Sequence, residues 1–397
     1  MGNIITYLQE NGEKNFAQLP FSEVDSLILS EAAYFDFSAS PFCNPYPEIS
    51  LGGWLKECQT PGIQKGSLTA VSDRALMDQL KQGGRIGDLC PCSHVSESER
   101  QNEIQFSAIT FRLAEDIWYI AFRGTDNSVI GWKEDMALYY LPAIPAQQAA
   151  VNYAIQIMER LPGRFYLGGL SKGGNLSVYC ATHLPDHLQE RLITVYDHDG
   201  PGFPQRFYEK EGYQAVGHKI HKTLPRSAVI GLLLENGVGY HVVDSKADAL
   251  LQHDPFSWEV EGVSFVTLPE VDDFALHVDL ALTQWTEGME PETIKKVVDL
   301  VFDLIFSTGI EAFAEMKSDP VGHIRTILKN LAETEKEEKK MLLSAISGLI
   351  SATTEEAREL LDKELDRKLT QIRQELPERL EAPGLLKKLG RGEMDER

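Results

Sequence analysis

The chain has 397 residues, enough for one large domain or two modest ones, and its formal net charge is −22. This charge argues against general nucleic-acid binding, because a polyanionic backbone would repel the protein, and against attachment to an anionic membrane through charge alone. No segment is apolar for long enough to span a membrane, and the first residues lack the basic start and apolar run of a secretory signal. We therefore expect a cytoplasmic protein without stable membrane insertion.

The five cysteines are an odd number, which gives no disulfide framework. Cys90 and Cys92, followed by His94, could form half of a metal site, but no other Cys or His pair has ligand spacing. We predict reduced, structural cysteines, no bound metal and no organic cofactor.

The N-terminal part predicts a helix that begins after Ser22, a plausible N-cap with Asp25 three residues later. Apolar residues follow at helical spacing, namely Val24, Leu27, Ile28 and Ala32. Residues 39–100 contain several Pro and Gly and have no pattern that assigns them. The helix after Ser22 is predicted to cover one side of the core.

From residue 104 onward, short apolar strands alternate with helices. The predicted strands are 104–111, 117–122, 165–170, 192–196, 217–224, 239–243 and 263–267. The first two strands resemble a hairpin, and helices are predicted over 146–160 and 175–183. This alternation is typical of an α/β architecture with a mostly parallel central sheet.

After residue 285 the pattern becomes helical. Pro291 occupies the expected first turn of a helix, and an apolar stripe follows at Val298, Val301, Phe302 and Ile305. The charge run 333–340 indicates a solvated helix face, and 341–350 is apolar. Thr353 and Glu356 form a capping box for one more helix. We predict two parts, a domain over 1–285 and a helical C-terminal extension over 286–397.

One motif has the spacing of a nucleophile site: Gly169-x-Ser171-x-Gly173 lies between a predicted strand and a predicted helix. The turn from strand to helix is so tight that side chains on either side of the serine would clash, and glycines relieve this. The helix N-terminus then points its free N–H groups at the reaction centre. We expect Ser171 to be a nucleophile, with the backbone N–H of Lys172 as an oxyanion donor. The alternative is a tight turn without chemistry.

A second motif carries a family resemblance. The segment from Phe122 to Thr125, with Trp132 and Asp135, resembles the F-R-G-[ST]…W…D pattern of class 3 lipases. In those enzymes the hydroxyl residue supplies an oxyanion-hole contact, so the resemblance implies this role for Thr125. Lipases usually have a histidine directly before the nucleophile, and here that position is Leu170.

The fuller resemblance is to the Mbeg1-like family, a bacterial branch of lipase-like α/β-hydrolases of largely unknown function. The residues that carry it are 20–37, 105–111, 121–135, 170–181, 199–203 and 252–258. The resemblance spans most of residues 20–260. It implies an α/β-hydrolase fold with a central, mostly parallel sheet.

A serine nucleophile needs a base to take its proton and an acid to orient that base. In α/β-hydrolases these follow in the order serine, acid, histidine. His253 is the favoured base, since it follows the last predicted sheet strands and matches the resemblance, and His241 is second. Asp199, at the end of the strand 192–196, is the favoured acid, with Asp197 as the close alternative. Asp199 could instead hold the following Gly-Pro turn, and a Ser-His dyad without a proper acid is then the alternative.

The leading hypothesis is therefore a serine hydrolase that cleaves a small-molecule or lipid ester. A catalytically inactive protein of the same fold, which binds a ligand or another protein, is the alternative. A thioesterase or peptidase would use the same residues. The C-terminal helices could form a cap or an acyl-chain groove, although ordinary helix packing is the more common role of such stripes.

Overall fold

An eight-stranded sheet forms the centre of the fold in a computed structural model of the protein, which describes residues 2–58, 62–63, 70–237, 239–287 and 289–352. The strands are β1 (Phe35–Asp36), β2 (Gly62–Ile63), β3 (Cys90–Glu99), β4 (Ile104–Ala114), β5 (Ile117–Phe122), β6 (Arg164–Leu170), β7 (Leu192–His198), β8 (Ile220–Pro225), β9 (Tyr240–Val243), β10 (Val260–Glu261), β11 (Ser264–Phe265) and β12 (Thr267–Leu268). The large sheet has the order β12-β9-β8-β7-β6-β5-β4-β3. Strands β5 to β9 run parallel, and the outer strands β3, β4 and β12 run antiparallel to their neighbours.

Helices flank both faces of this sheet. Those of the described residues are α1 (Ile4–Asn11), α2 (Glu23–Ala32), α3 (Leu51–Glu57), α4 (Ala70–Leu80), α5 (Gly84–Gly87), α6 (Val129–Met136), α7 (Pro145–Arg160), α8 (Lys172–His183), α9 (Asp186–Gln189), α10 (Glu211–Val216), α11 (Asp273–Glu287), α12 (Pro291–Phe306), α13 (Pro320–Glu333) and α14 (Lys336–Ala352). A mostly parallel sheet with helices on both faces confirms the predicted α/β-hydrolase fold class. No helix in the described ranges is both long enough and apolar enough to cross a bilayer.

The side chains of β5 alternate between two apolar cores, as a strand buried on both faces requires. Trp118, Ile120 and Phe122 pack with α7 and α8 on one face. Tyr119 and Ala121 pack with α1 and α2 on the other face. The predicted hairpin of β4 and β5 and the predicted coverage of one side by α2 are both present.

The predicted N-cap of α2 is also present, and Asp25 completes a capping box with it. The Ser22 hydroxyl accepts the backbone N–H of Asp25, and the Asp25 carboxylate accepts the backbone N–H of Ser22 at 2.9 Å. Asp25 additionally forms a fully buried ion pair with Arg85, with its shortest contact at 2.6 Å. A buried carboxylate is stable only when its oxygens are bonded, and these contacts meet that need.

The structure differs from the sequence-based predictions at several places, one of which is the strand predicted over 217–224, which begins at Ile220. β3 lies in the unassigned segment 39–100; the predicted helix over 175–183 begins three residues earlier; and the predicted strand over 263–267 is divided between β11 and β12. All five cysteines are free. The helix predicted after Thr353 lies outside the described residues, and the two-part division at residue 285 stays a prediction.

A backbone hydrogen bond joins the start of α11 to the loop after β8. The backbone N–H of Asp272, just before α11, donates to the Arg226 carbonyl after β8 at 2.8 Å. Farther along α11, burial and the neighbouring Glu235 raise the pKa of Asp279 to about 6, and Asp279 in turn contributes to the raised pKa of Tyr139. Helix α11 therefore begins beside the loop that follows β8.

A second connection is made by backbone pairing. The N–H of Val129 donates to the Glu311 carbonyl at 2.8 Å, and the N–H of Phe313 donates to the Asn127 carbonyl at 2.9 Å. The Phe313 ring also packs edge-on against Trp132, with 5.9 Å between the ring centroids. We call the two backbone hydrogen bonds the backbone clamp. It ties the segment after α12 to the loop after β5.

Candidate active site

The turn between β6 and α8 has the strained geometry of a nucleophile elbow. Ser171 adopts φ +60° and ψ −131° as the N-cap residue of α8, a left-handed conformation that non-glycine residues rarely adopt. A Cβ at Gly169 would collide with the backbone of Gly173, and a Cβ at Gly173 would collide with the carbonyl oxygen of Phe122. Both glycines are therefore required by close approach, as the motif predicts.

The Ser171 hydroxyl is not used to hold this turn. It makes no hydrogen bond with any described residue, and the side chain is only partly buried. The backbone does the structural work instead, because the N–H groups of Gly174 and Asn175 donate to the Ser171 carbonyl at 2.9 and 3.3 Å. The strain thus presents a hydroxyl that has no structural partner.

Asp199 lies beside the serine at the end of the neighbouring strand. Leu170 of β6 and His198 of β7 are register partners, so Ser171 and Asp199 each follow a paired residue. Asp199 is completely buried and also has a left-handed backbone, with φ +49°. One carboxylate oxygen, Oδ1, accepts the backbone N–H of Gly231 at 3.0 Å, which leaves Oδ2 for another donor.

That donor is His253, the predicted base. Its Nδ1 lies 2.6 Å from Asp199 Oδ2, across 54 positions of the chain. The imidazole is 31% exposed while the carboxylate is 1% exposed, so the histidine is fixed on its buried side and accessible on the other. If Nδ1 donates to the carboxylate, the neutral ring has its lone pair on Nε2, the form that a general base requires.

Asp197, the alternative acid, has a different set of partners. Its Oδ2 accepts a hydrogen bond of 2.9 Å from Lys222 Nζ, and its Oδ1 accepts the backbone N–H of Gly200 at 2.9 Å. Both side chains of the Asp197–Lys222 pair are buried. Asp197, rather than Asp199, therefore holds the Gly200-Pro201 turn, and its carboxylate is occupied by an ion pair.

His241, the second candidate base, is exposed on β9. Its ring stacks on that of His221 at 4.8 Å, and His221 Nε2 lies 2.6 Å from Glu23 Oε2. These contacts are typical of a surface histidine. The position of His241 in a strand favours the same interpretation.

Two backbone N–H groups next to the serine are available as oxyanion donors. The N–H of Lys172 is in the first turn of α8, where helical N–H groups have no intrahelical acceptor. Neither this N–H nor that of Thr125 donates to any residue in the described ranges. The Thr125 hydroxyl, in contrast, donates to Asp135 Oδ2 at 2.6 Å. The hydroxyl proton is thus committed to a carboxylate, which leaves the backbone N–H as the available donor of Thr125.

The side chain of Lys172 turns away into a buried polar cluster, an arrangement that the motif does not predict. Its ammonium donates to Glu134 Oε2 at 2.8 Å, to Gln105 Oε1 at 2.7 Å and to the Gln105 carbonyl at 3.0 Å. Asp135 Oδ1 is 3.7 Å away, and burial raises the pKa of Asp135 to about 6 although the Lys172 charge opposes this. The cluster joins the residue after the serine to the Thr125 loop.

Sequence reasoning missed Tyr34, which lies at the other side of the serine. A Cβ placed on Gly124 would collide with the Tyr34 hydroxyl oxygen and would be 3.2 Å from Ser171 Cβ. Gly124 therefore lets the phenol approach the nucleophile closely. Tyr34 is in one of the segments that carries the family resemblance, but nothing in its local pattern distinguishes it from an apolar core residue.

Within the described part of the chain, no group of three or more His, Cys, Asp and Glu side chains could hold a metal ion. The site instead contains a serine, an imidazole–carboxylate pair and free N–H donors. This combination can carry out nucleophilic acyl transfer.

Comparison with known proteins gives one sequence relationship and several structural ones. The profile of the Mbeg1-like family matches residues 80–303, more than half of the chain. The solved structures similar to this one include M37 lipase, with 13% identity over 53% of this chain and 70% of that chain, at a TM-score of 0.33. No curated protein gives a match.

Two further similar structures are fungal. The native propeptide complex of Rhizomucor miehei lipase is 14% identical, covers 58% of this chain and 74% of that chain, and has a TM-score of 0.34. A fungal lipase–inhibitor complex is 15% identical over 55% of this chain and 75% of that chain, with the same TM-score of 0.34. The family match includes Ser171, Asp199 and His253, whereas Tyr34 lies before it.

Proposed function

The chain belongs to the Mbeg1-like family, and from the geometry of its elbow we propose that it is a serine hydrolase that cleaves a carboxylic ester by acyl transfer. The observation that carries the proposal is the 2.6 Å contact between His253 and Asp199, next to a serine on a strained turn. A buried carboxylate, an imidazole that is accessible on one side and an uncommitted hydroxyl are the three parts that such chemistry needs.

In the first half of the reaction, Ser171 Oγ attacks the ester carbonyl carbon while His253 Nε2 takes the hydroxyl proton. The carbonyl oxygen becomes negatively charged and accepts hydrogen bonds from the N–H groups of Lys172 and Thr125. Asp199 stabilises the imidazolium that forms. When the tetrahedral intermediate collapses, the ester C–O bond breaks and His253 returns the proton to the leaving alcohol.

In the second half, His253 removes a proton from water, and the resulting hydroxide attacks the acyl group on Ser171. Collapse of this second intermediate releases the carboxylic acid and restores the serine hydroxyl. The Ser171 hydroxyl has no hydrogen bond in the resting structure, so its bond to Nε2 must form on the way to reaction. Catalytic hydrogen bonds often tighten in this way when substrate binds.

The proposed substrate is an acyl or lipid ester, as the lipase resemblance of the Thr125 loop implies. The test is reaction of the purified full chain with a fluorophosphonate probe, followed by assays on p-nitrophenyl esters of increasing acyl length. Ser171→Ala is the test variant, and Ser98→Ala, at an exposed serine on β3, is the matched control.

We expect labelling and turnover in the intact protein and the control, and loss of both in Ser171→Ala. The dependence of kcat/KM on acyl length then identifies the preferred ester. Absence of labelling and turnover in the intact protein would overturn the proposal and favour a non-catalytic binding protein of this fold.

A further inference from the structure

Tyr34 places a polar group near Ser171 that the proposed mechanism does not use. It follows α2, and its hydroxyl lies against Gly124 on the side of that residue that also faces Ser171 Cβ. Gly124 precedes Thr125, so the phenol, the serine and one oxyanion donor surround the same short stretch of backbone. A substrate carbonyl bound at Ser171 would lie in this space.

The Tyr34 hydroxyl has no structural hydrogen bond. Across the described ranges it has neither a donor nor an acceptor partner, in contrast to the buried Tyr119 hydroxyl, which bonds Ser26 and Ser30 at 2.9 Å. The Tyr34 side chain is only partly buried, so its hydroxyl is committed to no other group and is open to a bound ligand. A substrate oxygen at Ser171 would supply the missing partner.

The charges around Tyr34 decide which kind of partner suits it. Burial raises the pKa of Tyr34 well above its usual value, and Glu31, Asp135 and Asp126 raise it further, while Arg123 opposes them. The phenol therefore stays protonated and can donate. Asp126 and Asp135 would also oppose the negative charge that develops on a substrate oxygen, so an additional donor is useful there.

We propose that Tyr34 is a catalytic residue whose hydroxyl donates a third hydrogen bond to the negatively charged oxygen of the tetrahedral intermediate on Ser171. This inference rests on the proposed serine hydrolase function. It assigns three donors to the oxyanion, namely the N–H groups of Lys172 and Thr125 and the phenol of Tyr34. The phenol compensates for the Thr125 hydroxyl, whose proton is held by Asp135.

The test variant is Tyr34→Phe, which keeps the ring and removes only the hydroxyl. Tyr166→Phe is the matched control, because Tyr166 is a half-buried tyrosine near the start of β6, at the opposite end of that strand from Ser171, and its hydroxyl also has no partner among the described residues. All rates are divided by the concentration of active sites, titrated with the fluorophosphonate probe. This normalisation removes any effect of an unfolded fraction.

We expect Tyr34→Phe to lower kcat for a p-nitrophenyl ester roughly 100-fold, the usual effect of deleting one oxyanion donor, with KM little changed. The affinity for a trifluoromethyl ketone, which forms a charged tetrahedral adduct with the serine, should fall by a similar factor. Tyr166→Phe should match the intact protein in both assays.

The outcomes separate this inference from the function on which it rests. If the intact protein is labelled and active but Tyr34→Phe retains its kcat and its ketone affinity within about twofold, Tyr34 is only a wall of the site and the inference is overturned. If KM rises and kcat does not change, Tyr34 binds substrate without stabilising the intermediate, which also overturns it. If the intact protein is neither labelled nor active, the hydrolase proposal itself fails.

Discussion

The backbone N–H of Ser171 donates a hydrogen bond of 2.8 Å to the carbonyl oxygen of His198. His198 precedes Asp199, so one bond fixes the position of the proposed nucleophile relative to the proposed acid. The imidazole of His198 is itself fixed, because its Nε2 lies 2.9 Å from the Ser26 hydroxyl of α2. These two hydrogen bonds therefore fix the positions of α2, β7 and the elbow relative to one another.

This arrangement makes His198 a source of acid sensitivity. The side chain is completely buried, and burial lowers its pKa to about 3. In the unfolded chain a histidine binds a proton near pH 6.5, so below that pH the unfolded state takes up a proton that the native state refuses. The contribution of His198 to the free energy of unfolding should therefore fall as the pH falls, by about 1.4 kcal/mol per pH unit between 6.5 and the native pKa.

Urea unfolding at pH 7, 6 and 5 measures this effect. His198→Gln should be less stable than the intact protein at pH 7, since it loses the buried imidazole, but its stability should depend less steeply on pH. His187→Gln, at an exposed position on α9, is the control and should retain the steep dependence. Parallel pH curves for His198→Gln and the intact protein would contradict the prediction.

Asp199→Asn should remove activity while leaving the fold intact. The amide oxygen can still accept the Gly231 N–H, but a neutral amide does not stabilise the His253 imidazolium and favours the wrong tautomer. We expect kcat to fall roughly 10³- to 10⁴-fold with a small change in melting temperature. Normal turnover in a folded Asp199→Asn protein would exclude Asp199 as the acid.

Asp197→Asn should have the opposite effect. It leaves the buried Lys222 ammonium without its carboxylate, and breaking such a pair costs about 3–5 kcal/mol. The molecules that remain folded should keep their kcat per titrated serine. The double variant Asp197→Asn/Lys222→Met removes both charges and should recover part of the stability. If Asp197→Asn folds normally and loses turnover, the two aspartates have been assigned the wrong way round.

Lys172→Met tests whether the residue after the serine acts through its backbone or its side chain. The ion pair of Lys172 with Glu134 is almost completely buried, so loss of the ammonium should destabilise the fold by about 3 kcal/mol or more. The backbone N–H is unchanged, and probe labelling of folded molecules should persist. Adding Glu134→Gln should restore part of the stability. A stable but unlabelled Lys172→Met protein would indicate instead that the ammonium acts in the chemistry.

Because of the backbone clamp, we expect the C-terminal helices to affect the loop after β5, which contains the proposed oxyanion donor Thr125. We propose that they form a cap that holds this loop, rather than an independent packing unit. Phe313→Pro removes the N–H that bonds the Asn127 carbonyl, and proline is tolerated there because Phe313 begins a short helical turn. We expect kcat to fall several-fold. Phe313→Ala keeps the N–H but loses the ring contact with Trp132, so it separates the effect of the hydrogen bond from that of the ring contact. Equal kcat in Phe313→Pro and the intact protein would contradict the role of the clamp.

The sequence was most informative where structure depends on near neighbours. Ser22 with Asp25 predicts the start of α2, and the glycines around Ser171 predict the elbow, because in each case the requirement arises within a few residues. β3 could not be predicted, since its sequence contains Pro91 and a run of exposed polar residues without apolar alternation. An antiparallel edge strand tolerates such residues because one side of it has no partner to satisfy.

The candidate site required contacts that no local pattern contains. Asp197 and Asp199 are equivalent in sequence, and only the distant Lys222 and His253 distinguish their carboxylates. The proximity of Tyr34 to Ser171 is likewise visible only through Gly124, because the three residues come from separate elements. The types of residue in the site were predictable, whereas their partners depend on the assembled sheet.

The pairing of residues 311–313 with 127–129 also has a consequence for biosynthesis. A chain that emerges from the ribosome N-terminus first can pair β5 with its neighbours long before residue 311 has been made. The loop after β5 obtains its backbone partners only when most of the protein has been translated. A growing polypeptide would then carry the serine turn well before it carries a fully supported loop, so the proposed activity is expected to reach its full level only late in synthesis.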